Sequence, residues 1–251
     1  NAKIDTIELC AKIRKNEENN IIPIIVLSSN ENREFKIELA KNYVEYYIAK
    51  SMGQEYLYYR IRNMFRLLVV NRTISPLTGL PGNTQIQTEL KRRMLRGERF
   101  VVLYLDLDNF KAYNDVYGFL KGDEIIKFTA RTILKNVSNN AKTDLFVGHI
   151  GGDDFVTILG DEIGYEKICQ DIISEFDSGV KYFFTEEDYK RGYLKIQNRK
   201  GKMEHFPITS ISIGVVVADP DRFTNVLEIG EVGAQVKHIA KKYKGSCYAT
   251  D

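Results

Sequence analysis

Two glycines followed by two aspartates, at positions 151–154, stand between two short apolar runs, 145–147 and 155–159. Apolar runs of strand length on either side of a glycine-rich segment predict a β-hairpin. The glycines give the backbone freedom that a tight turn needs, so the turn would hold Asp153 and Asp154 side by side. Glycine and aspartate are also ordinary turn residues, and the tetrapeptide alone does not distinguish a functional site from a plain turn.

A second acidic segment lies upstream, where an apolar stretch at 99–105 predicts a buried strand that runs directly into Asp106. Three carboxylates held close together would repel one another and raise one another's pKa unless a cation lay among them. Oxygen-only ligands indicate magnesium or manganese, bound together with phosphate groups rather than in a closed protein cage. The alternative is three solvated surface aspartates.

The elements that must position these residues follow the order β-α-β-β-α-β, the ferredoxin-like arrangement. After a helix that ends near residue 96, we predict a strand at 99–105, a turn at 114–115, a helix at 125–134, hairpin strands at 144–150 and 154–159, a helix at 165–176, a strand at 208–217 and a helix at 226–243. An inserted hairpin is predicted near 180–207, as a solvated charged ribbon. Because the first strand and the central hairpin are sheet neighbours in this topology, Asp106, Asp153 and Asp154 can converge at one edge.

The composition is that of an ordinary globular protein, with 43% hydrophobic and 28% charged residues among 251. The formal net charge of +2 gives no reason to expect nucleic acid or an anionic membrane as a partner. No apolar run has the length of a membrane span, and no signal peptide opens the chain. Three widely spaced cysteines argue against a disulfide framework or a zinc site and favour a reducing cytosol. Because the first residue is Asn1, we expect a fragment or a processed chain.

Residues 1–70 alternate helix and strand in the manner of half a doubly wound, flavodoxin-like α/β domain, and end in a connecting helix. This part resembles the C-terminal part of a response-regulator receiver domain. Ser28 stands at that family's switch hydroxyl and Lys50 at its phosphate-pairing lysine, while Ser51 replaces the usual proline. The resemblance implies a cognate histidine kinase as a partner. The alternative is that Ser28 and Lys50 are an ordinary strand-end hydroxyl and a solvated lysine.

From about 75 to 248 the chain resembles the GGDEF family of bacterial signalling domains, the nucleotidyl cyclases that make cyclic di-GMP. The motifs that carry this resemblance are Ser-Pro-Leu-Thr-Gly-Leu at 75–80, Asp-Leu-Asp-Asn-Phe-Lys at 106–111 and Gly-Gly-Asp-Asp-Phe at 151–155. The resemblance implies a cytoplasmic bacterial homodimer. Two domains that face each other across a two-fold axis would each hold one GTP and join the two into cyclic di-GMP and two pyrophosphates.

The same resemblance implies roles for individual residues. It implies a metal site, for magnesium or manganese, made of four residues: Asp106, Leu107, Asp153 and Asp154. It implies a nucleotide site made of five residues: Asn109, Phe110, Asn114, Asp123 and Lys241. Lys111 is implied to act in catalysis with Asp153 and Asp154. A carboxylate accepts hydrogen bonds from two guanine donors that adenine lacks, so Asp123 favours guanine.

Several positions depart from the family pattern. Asp154 stands where the family prefers glutamate, Ser75 replaces an aspartate, and His149 stands where an arginine is common. Lys142 and Leu145 occupy the places of the arginine and aspartate of the product-inhibition motif. The arginine usual in the last loop is also missing.

These departures leave three hypotheses open. The first is a diguanylate cyclase domain behind a receiver-like module. The second is a catalytically silent GGDEF domain that binds GTP or a partner protein and regulates by occupancy. The third is a nucleotidyl cyclase that makes a different cyclic dinucleotide, against which Asp123 argues.

Overall fold

The computed structural model describes residues 5–16, 22–140, 144–161, 163–197 and 201–251. The chain divides into two compact units, Asn1–Val70 and Asn71–Asp251. Lys142 and the turn of the inserted hairpin lie outside the described residues. Within the described ranges, no helix is both long enough and apolar enough to cross a membrane.

The first unit alternates helices with two short parallel strands. Its elements are α1 (Thr6–Lys15), β1 (Ile25–Ser28), α2 (Arg33–Lys41), β2 (Tyr46–Ala49), a 3-10 turn (Lys50–Met52) and α3 (Gly53–Arg72). The register pairs Ser28 with Ala49. Ser28 Oγ accepts a hydrogen bond from the backbone N–H of Asn30 at 3.1 Å, the local bond that a strand-end serine often makes. A receiver module therefore stays a prediction.

The second unit is built on a five-stranded mixed sheet with strand order β4-β5-β3-β8-β9. Its elements are α4 (Asn83–Leu95), β3 (Phe100–Leu107), α5 (Phe110–Tyr117), α6 (Phe119–Asn140), β4 (Leu145–Gly151), β5 (Asp154–Gly160), α7 (Tyr165–Val180), α8 (Glu186–Arg191), β6 (Tyr193–Gln197), β7 (Met203–Pro207), β8 (Ile211–Ala218), α9 (Val226–Ala240) and β9 (Cys247–Thr250). The β-α-β-β-α-β order expected from the sequence is present in the sheet and its helices.

The expected boundaries need correction at several places. The turn predicted at 114–115 is part of α5, because the side chains of Phe110, Ala112 and Tyr113 are buried and draw this segment into a helix. The helix predicted at 125–134 begins earlier and ends later, as α6. Neither α8 nor β9 was expected, and β9 pairs in parallel with β8 at the sheet edge.

The core explains why β3 is apolar along its whole length. β3 pairs antiparallel with β5 on one side and with β8 on the other, so it is the central strand. One face of the sheet packs on α6 and α7 and the other on α4 and α9. A strand buried on both faces needs a continuous apolar run. Its C-terminal end, at Asp106, is therefore held by a rigid frame.

Two glycines fix the position of α9 on the sheet. A Cβ at Gly214 would lie 2.6 Å from the backbone nitrogen of Lys237, and a Cβ at Gly233 would lie 2.2 Å from the ring of Tyr104. Real Cβ contacts do not come that close, so the helix and the strands touch where no larger residue fits. This close docking sets the height of Lys237 above the sheet.

The two segments expected to form the inserted hairpin are β6 and β7, which pair antiparallel from Tyr193 opposite Pro207. The ring of Tyr193 packs on His205 with the ring centroids 4.5 Å apart. His205 therefore has a packing role in the hairpin.

Candidate functional site

The acidic residues of the hairpin turn meet the end of the central strand. In the register of β3 and β5, Asp106 lies opposite Asp154. The turn before Asp154 passes through Gly151 (φ 148°) and Gly152 (φ 59°), backbone conformations that favour glycine. Asp106 is only 7% exposed. The antiparallel pairing therefore places the buried carboxylate of Asp106 beside the partly exposed carboxylate of Asp154.

Lys237 of α9 and Lys241, the residue that caps the C-terminus of α9, lie among these carboxylates. Nζ of Lys237 is 2.9 Å from Oδ2 of Asp106 and 2.5 Å from Oδ1 of Asp154. Nζ of Lys241 pairs with the other oxygen of Asp106 and lies 3.9 Å from Oδ1 of Asp108. Residues four apart share one face of a helix, so both ammonium groups reach the same cluster.

Asp108 is held by a separate set of hydrogen bonds. The hydroxyls of Ser210 and Ser212 both donate to its Oδ2 at 2.8 Å. Burial raises the pKa of Asp108, and these hydroxyls act in the opposite direction. The carboxyl group is thus fixed in place beside Lys241.

The pKa shifts follow from burial and from the lysines. Burial raises the pKa of Asp153, and the nearby carboxylate of Asp106 adds to the rise. Burial also raises the pKa of Asp154, against the hydrogen bond from Lys237. For Asp106, hydrogen bonds from Lys241 and Lys237 outweigh burial, so its pKa is lowered. Burial opposes the charge of Lys237, but its two carboxylate partners outweigh burial and raise its pKa.

The donor set fits a divalent cation in chemistry and in charge. Four carboxylates (Asp106, Asp108, Asp153 and Asp154) face two ammonium groups (Lys237 and Lys241), which leaves two formal negative charges. Carboxylate oxygens are the ligands that magnesium and manganese prefer. Across the residues that the structure describes, no group of three or more His, Cys, Asp or Glu side chains is arranged to hold a metal ion by itself. The cation that contacts both Asp106 and Asp154 here is Lys237.

A cavity of about 560 Å³ adjoins the acidic cluster. Its lining includes Asp108, Asn109, Ser210, Lys241 and Lys244. Asn109 has left-handed backbone geometry (φ 58°) where the chain turns from β3 into α5. The cavity is therefore bordered by cationic side chains and by the first turn of α5.

A second cavity, of about 460 Å³, shares Asn109 with the first. It is lined by Lys111 and Asp115 of α5 and by residues of β6 and β7, among them Gln197 and Phe206. The inserted hairpin thus forms one wall of this second cavity.

Asn114 on α5 and Asp123 on α6 are the residues that the family resemblance assigns to the base. A Cβ at Gly122 would lie 2.0 Å from Oδ1 of Asn114, so the two helices meet closely just before Asp123. Oδ1 of Asn114 is buried and has no hydrogen-bond partner among the described residues. An unpaired buried acceptor is unfavourable unless a ligand donates a hydrogen bond to it.

His149 anchors the hairpin to the segment that precedes α4. Its backbone N–H donates to the carbonyl of Pro81 at 2.8 Å, and its Nε2 lies 2.9 Å from the carbonyl oxygen of Gly152. Its ring stacks on Phe155 with the centroids 4.5 Å apart. At 4% exposure it is a buried structural residue that holds the turn bearing Asp153.

Lys237 is the site residue that sequence analysis missed. Its spacing of four from Lys241 on a predicted helix was available in the sequence, and it indicates that both side chains lie on one face. The contact with Asp106 depends on how α9 docks on the sheet. That docking is a tertiary property which spacing does not reveal.

The β-α-β-β-α-β sheet, with an acidic turn beside the end of its central strand, is an arrangement shared by nucleotidyl cyclases and polymerase palms. Residues 73–236 match the model of the family described as "Diguanylate cyclase, GGDEF domain". The match covers well over half of the 251 residues. The chain belongs to the GGDEF diguanylate cyclase family.

Relatives of known name agree with this assignment. The chain is 32% identical over 159 residues to diguanylate cyclase DgcZ of Escherichia coli, covering 61% of this chain and 50% of that protein. It is 29% identical over 180 residues to the signaling protein YkoW of Bacillus subtilis, covering 68% of this chain and 19% of that protein. The chain thus spans half or less of the length of these curated relatives.

Solved structures share the fold. The GGDEF domain of YfiN from Pseudomonas aeruginosa matches with a TM-score of 0.52 at 22% identity, over 70% of this chain and 93% of that one. The GGDEF domain of DgcB from Caulobacter crescentus, solved in complex with c-di-GMP, matches with a TM-score of 0.51 at 18% identity, over 71% of this chain and 95% of that one. At these identities the likeness concerns the fold alone.

Proposed function

We propose that the second unit is a diguanylate cyclase domain that binds GTP with magnesium or manganese and condenses two GTP molecules into cyclic di-GMP. The observation that carries the proposal is the pairing of Asp106 with Asp154 next to a cavity lined by Lys241. In the reaction, the 3′-hydroxyl of each GTP attacks the α-phosphorus of the other. Two ester bonds form, two phosphoanhydride bonds break, two pyrophosphates leave, and the two hydroxyl protons are released to solvent.

The triphosphate would occupy the cavity beside the acidic cluster. Lys241 lines that cavity, and Lys111 lines the cavity that adjoins it. The backbone N–H groups at Asn109 and Phe110 belong to the first turn of α5, where unpaired donors and the helix dipole favour an anion. These groups neutralise the phosphate charges and orient the chain of phosphates.

The metal site of this proposal consists of the carboxylates of Asp106, Asp153 and Asp154 and the carbonyl of Leu107. A divalent ion bound there would activate the attacking hydroxyl and stabilise the charge on the leaving pyrophosphate. The excess negative charge of the cluster supports this assignment. The chain's own part is to hold these oxygens at a fixed place on β3 and β5.

Guanine selection would come from Asn114 and Asp123. The buried Oδ1 of Asn114 is a hydrogen-bond acceptor with no partner among the described residues, so a donor on the base can pair with it. Guanine presents an N–H and an amino group on one edge, whereas adenine lacks that pair of donors. A base that supplies them removes the penalty of the unpaired acceptor, so recognition favours GTP over ATP.

One domain holds one GTP, and the product needs two. We therefore include a homodimer in the proposal, with the two sites facing each other across a two-fold axis. We also propose that residues 1–70 form a receiver-derived unit with its connecting helix, with a histidine kinase as partner. Ser28 ends β1 and Lys50 follows β2, so the register brings both to one edge of that small sheet, which supports this part.

The decisive experiment incubates the protein with GTP and magnesium and separates the products by chromatography. We expect cyclic di-GMP from the parent and none from Asp106→Asn, which removes one charged oxygen ligand. Metal-dependent GTP binding should weaken in the same variant. Equal GTP affinity in parent and variant, with magnesium present, would remove Asp106 from the site.

A second candidate function is a silent domain that binds GTP without turnover and regulates by occupancy or through a protein partner. The observation that favours it is the ammonium of Lys237 between Asp106 and Asp154. GTP binding with no cyclic dinucleotide product would select this candidate. A different cyclic dinucleotide from a mixture of GTP and ATP would select the third possibility.

A further inference from the structure

Lys237 contacts two of the three carboxylates of the proposed metal site. Its Nζ lies 2.9 Å from Oδ2 of Asp106 and 2.5 Å from Oδ1 of Asp154. The Lys237 side chain is 21% exposed and that of Asp106 is 9% exposed, so solvent screens the contact with Asp106 only weakly. The Asp154 side chain is 36% exposed, so its contact with Lys237 is screened more. A single ammonium therefore bridges the end of β3 and the start of β5.

Lys241 cannot have the same effect, although it lies on the same face of α9. It contacts the other oxygen of Asp106 and approaches Asp108. Among the described residues, the ion pairs of Lys241 do not include Asp154. Of these two lysines, only Lys237 takes one oxygen from each of the two carboxylates.

Close contacts at Gly214 and Gly233 dock α9 tightly against β8 and Tyr104. Rotation of the unbranched Lys237 side chain can move the ammonium without a shift of the backbone. A cavity lies beside Lys241, one helical turn from Lys237.

From this geometry we propose that Lys237 is an internal cation of the acidic cluster that competes with the divalent metal for Asp106 and Asp154. This inference rests on the proposed function, because it concerns the same site. A metal ion that takes those two oxygens must break two ion pairs of Lys237 and must tolerate or expel its charge. Lys237 therefore lowers the affinity of the protein for metal in the absence of nucleotide.

Binding of GTP changes the competition between Lys237 and the metal for Asp106 and Asp154. The triphosphate brings negative charge into the adjoining cavity, and a released Lys237 ammonium can pair with it. GTP and metal then favour each other's binding, because each stabilises the arrangement in which Lys237 has left the carboxylates. The site therefore binds free metal weakly and binds metal together with nucleotide more tightly.

The test measures binding of Mn²⁺ alone to the full chain, from the electron paramagnetic resonance signal of the free ion. Lys237→Met keeps a long unbranched side chain and removes the charge. We expect it to bind Mn²⁺ at least about tenfold more tightly than the parent, since the competing ion pairs are gone. Lys242→Met removes the same charge from a solvent-exposed neighbour and should change the affinity less than about twofold. Equal affinity in Lys237→Met and the parent would overturn the inference.

A second variant separates charge from packing. Lys237→Arg keeps the cation, and we expect it to bind Mn²⁺ as weakly as the parent. A gain in Lys237→Arg equal to that in Lys237→Met would show loosened packing and would overturn the inference. If Lys237→Met fails to fold by circular dichroism, Lys237→Gln replaces it with the same expected gain.

This readout is independent of catalysis. A parent protein that binds GTP but forms no cyclic dinucleotide defeats the proposed cyclase activity and leaves the Mn²⁺ comparison intact. Conversely, an active cyclase whose Lys237→Met variant binds Mn²⁺ like the parent defeats the inference alone.

Discussion

The hydroxyl of Ser75 lies 2.7 Å from Nδ1 of His149, at the two positions where the family pattern has an aspartate and an arginine. Two departures that look independent in the sequence are thus partners in space. Thr78 Oγ1 lies 3.2 Å from the same nitrogen, and Nε2 faces the carbonyl of Gly152. A neutral imidazole with its proton on Nε2 donates to that carbonyl and accepts from Ser75. A hydrogen-bonded serine and histidine thus stand where the family pattern has an aspartate and an arginine.

This pairing predicts a strongly non-additive double mutant. His149→Arg alone places a guanidinium in a site that is 4% exposed and offers it no carboxylate. We expect a loss of about 3 kcal/mol or more in the free energy of unfolding. Ser75→Asp added to His149→Arg should recover most of that loss. Urea denaturation of the parent, both single variants and the double variant measures the coupling, and simple additivity would contradict the pairing.

Asp154→Glu should raise cyclase activity, or create it if the parent has none. Aspartate is one methylene shorter than glutamate, so its oxygens reach about 1.5 Å less far. Magnesium demands ligands near 2.0–2.1 Å, and a water that bridges such a gap would leave the ion weakly bound. Initial rates at saturating magnesium and GTP compare the two proteins. A clear loss of rate would mean that the turn has already adjusted to aspartate.

Any cyclase activity should show little non-competitive inhibition by cyclic di-GMP. The inhibitory motif of the family needs an arginine and an aspartate, and here Lys142 and Leu145 stand in their places. Leu145 packs against the apolar core, so it offers the product no polar contact. A lysine also lacks the bidentate geometry of a guanidinium. Rates at saturating GTP with increasing cyclic di-GMP test this, and strong inhibition would point to a different inhibitory site.

Glu89 should make the stability of the second unit fall at acid pH. Hydrogen bonds from Arg92 and Arg93, at 2.7 and 2.8 Å, lower its pKa from 4.5 to about 2 against the effect of burial. A carboxylate with a lowered folded-state pKa stabilises the fold above its unfolded pKa and loses that effect as pH falls. Glu89→Gln should therefore be less stable than the parent at pH 7.

The difference in unfolding free energy between the parent and Glu89→Gln should decrease as the pH falls from about 4.5 to 2. Urea unfolding at several pH values measures it. Glu186→Gln is the matched control, because Glu186 is 81% exposed and its ion pair with Lys190 contributes little. A difference in unfolding free energy that stays constant down to pH 2 would contradict the role assigned to Glu89.

The local pattern of apolar residues and glycines in the sequence predicted the parts of the site that strands and turns position. The apolar run before Asp106 and the glycines before Asp153 each have one simple structural explanation, and both elements are present. The helix around Asn114 was missed because asparagine and aspartate favour turns, whereas burial of Tyr113 outweighs that preference. Lys237 was missed because a helical lysine is usually solvated, and only the contact of α9 at Gly214 brings it to Asp106.

The close docking of α9 on the sheet has a consequence for which substitutions alter the charges at the site. α9 and its C-cap residue carry both ammonium groups that balance the acidic cluster, so a shift of this helix would move both charges. A bulkier residue at Gly214 or Gly233 would displace both at once without altering any residue of the site. The local electric field of the site thus depends on two interior glycines that lie outside the acidic cluster.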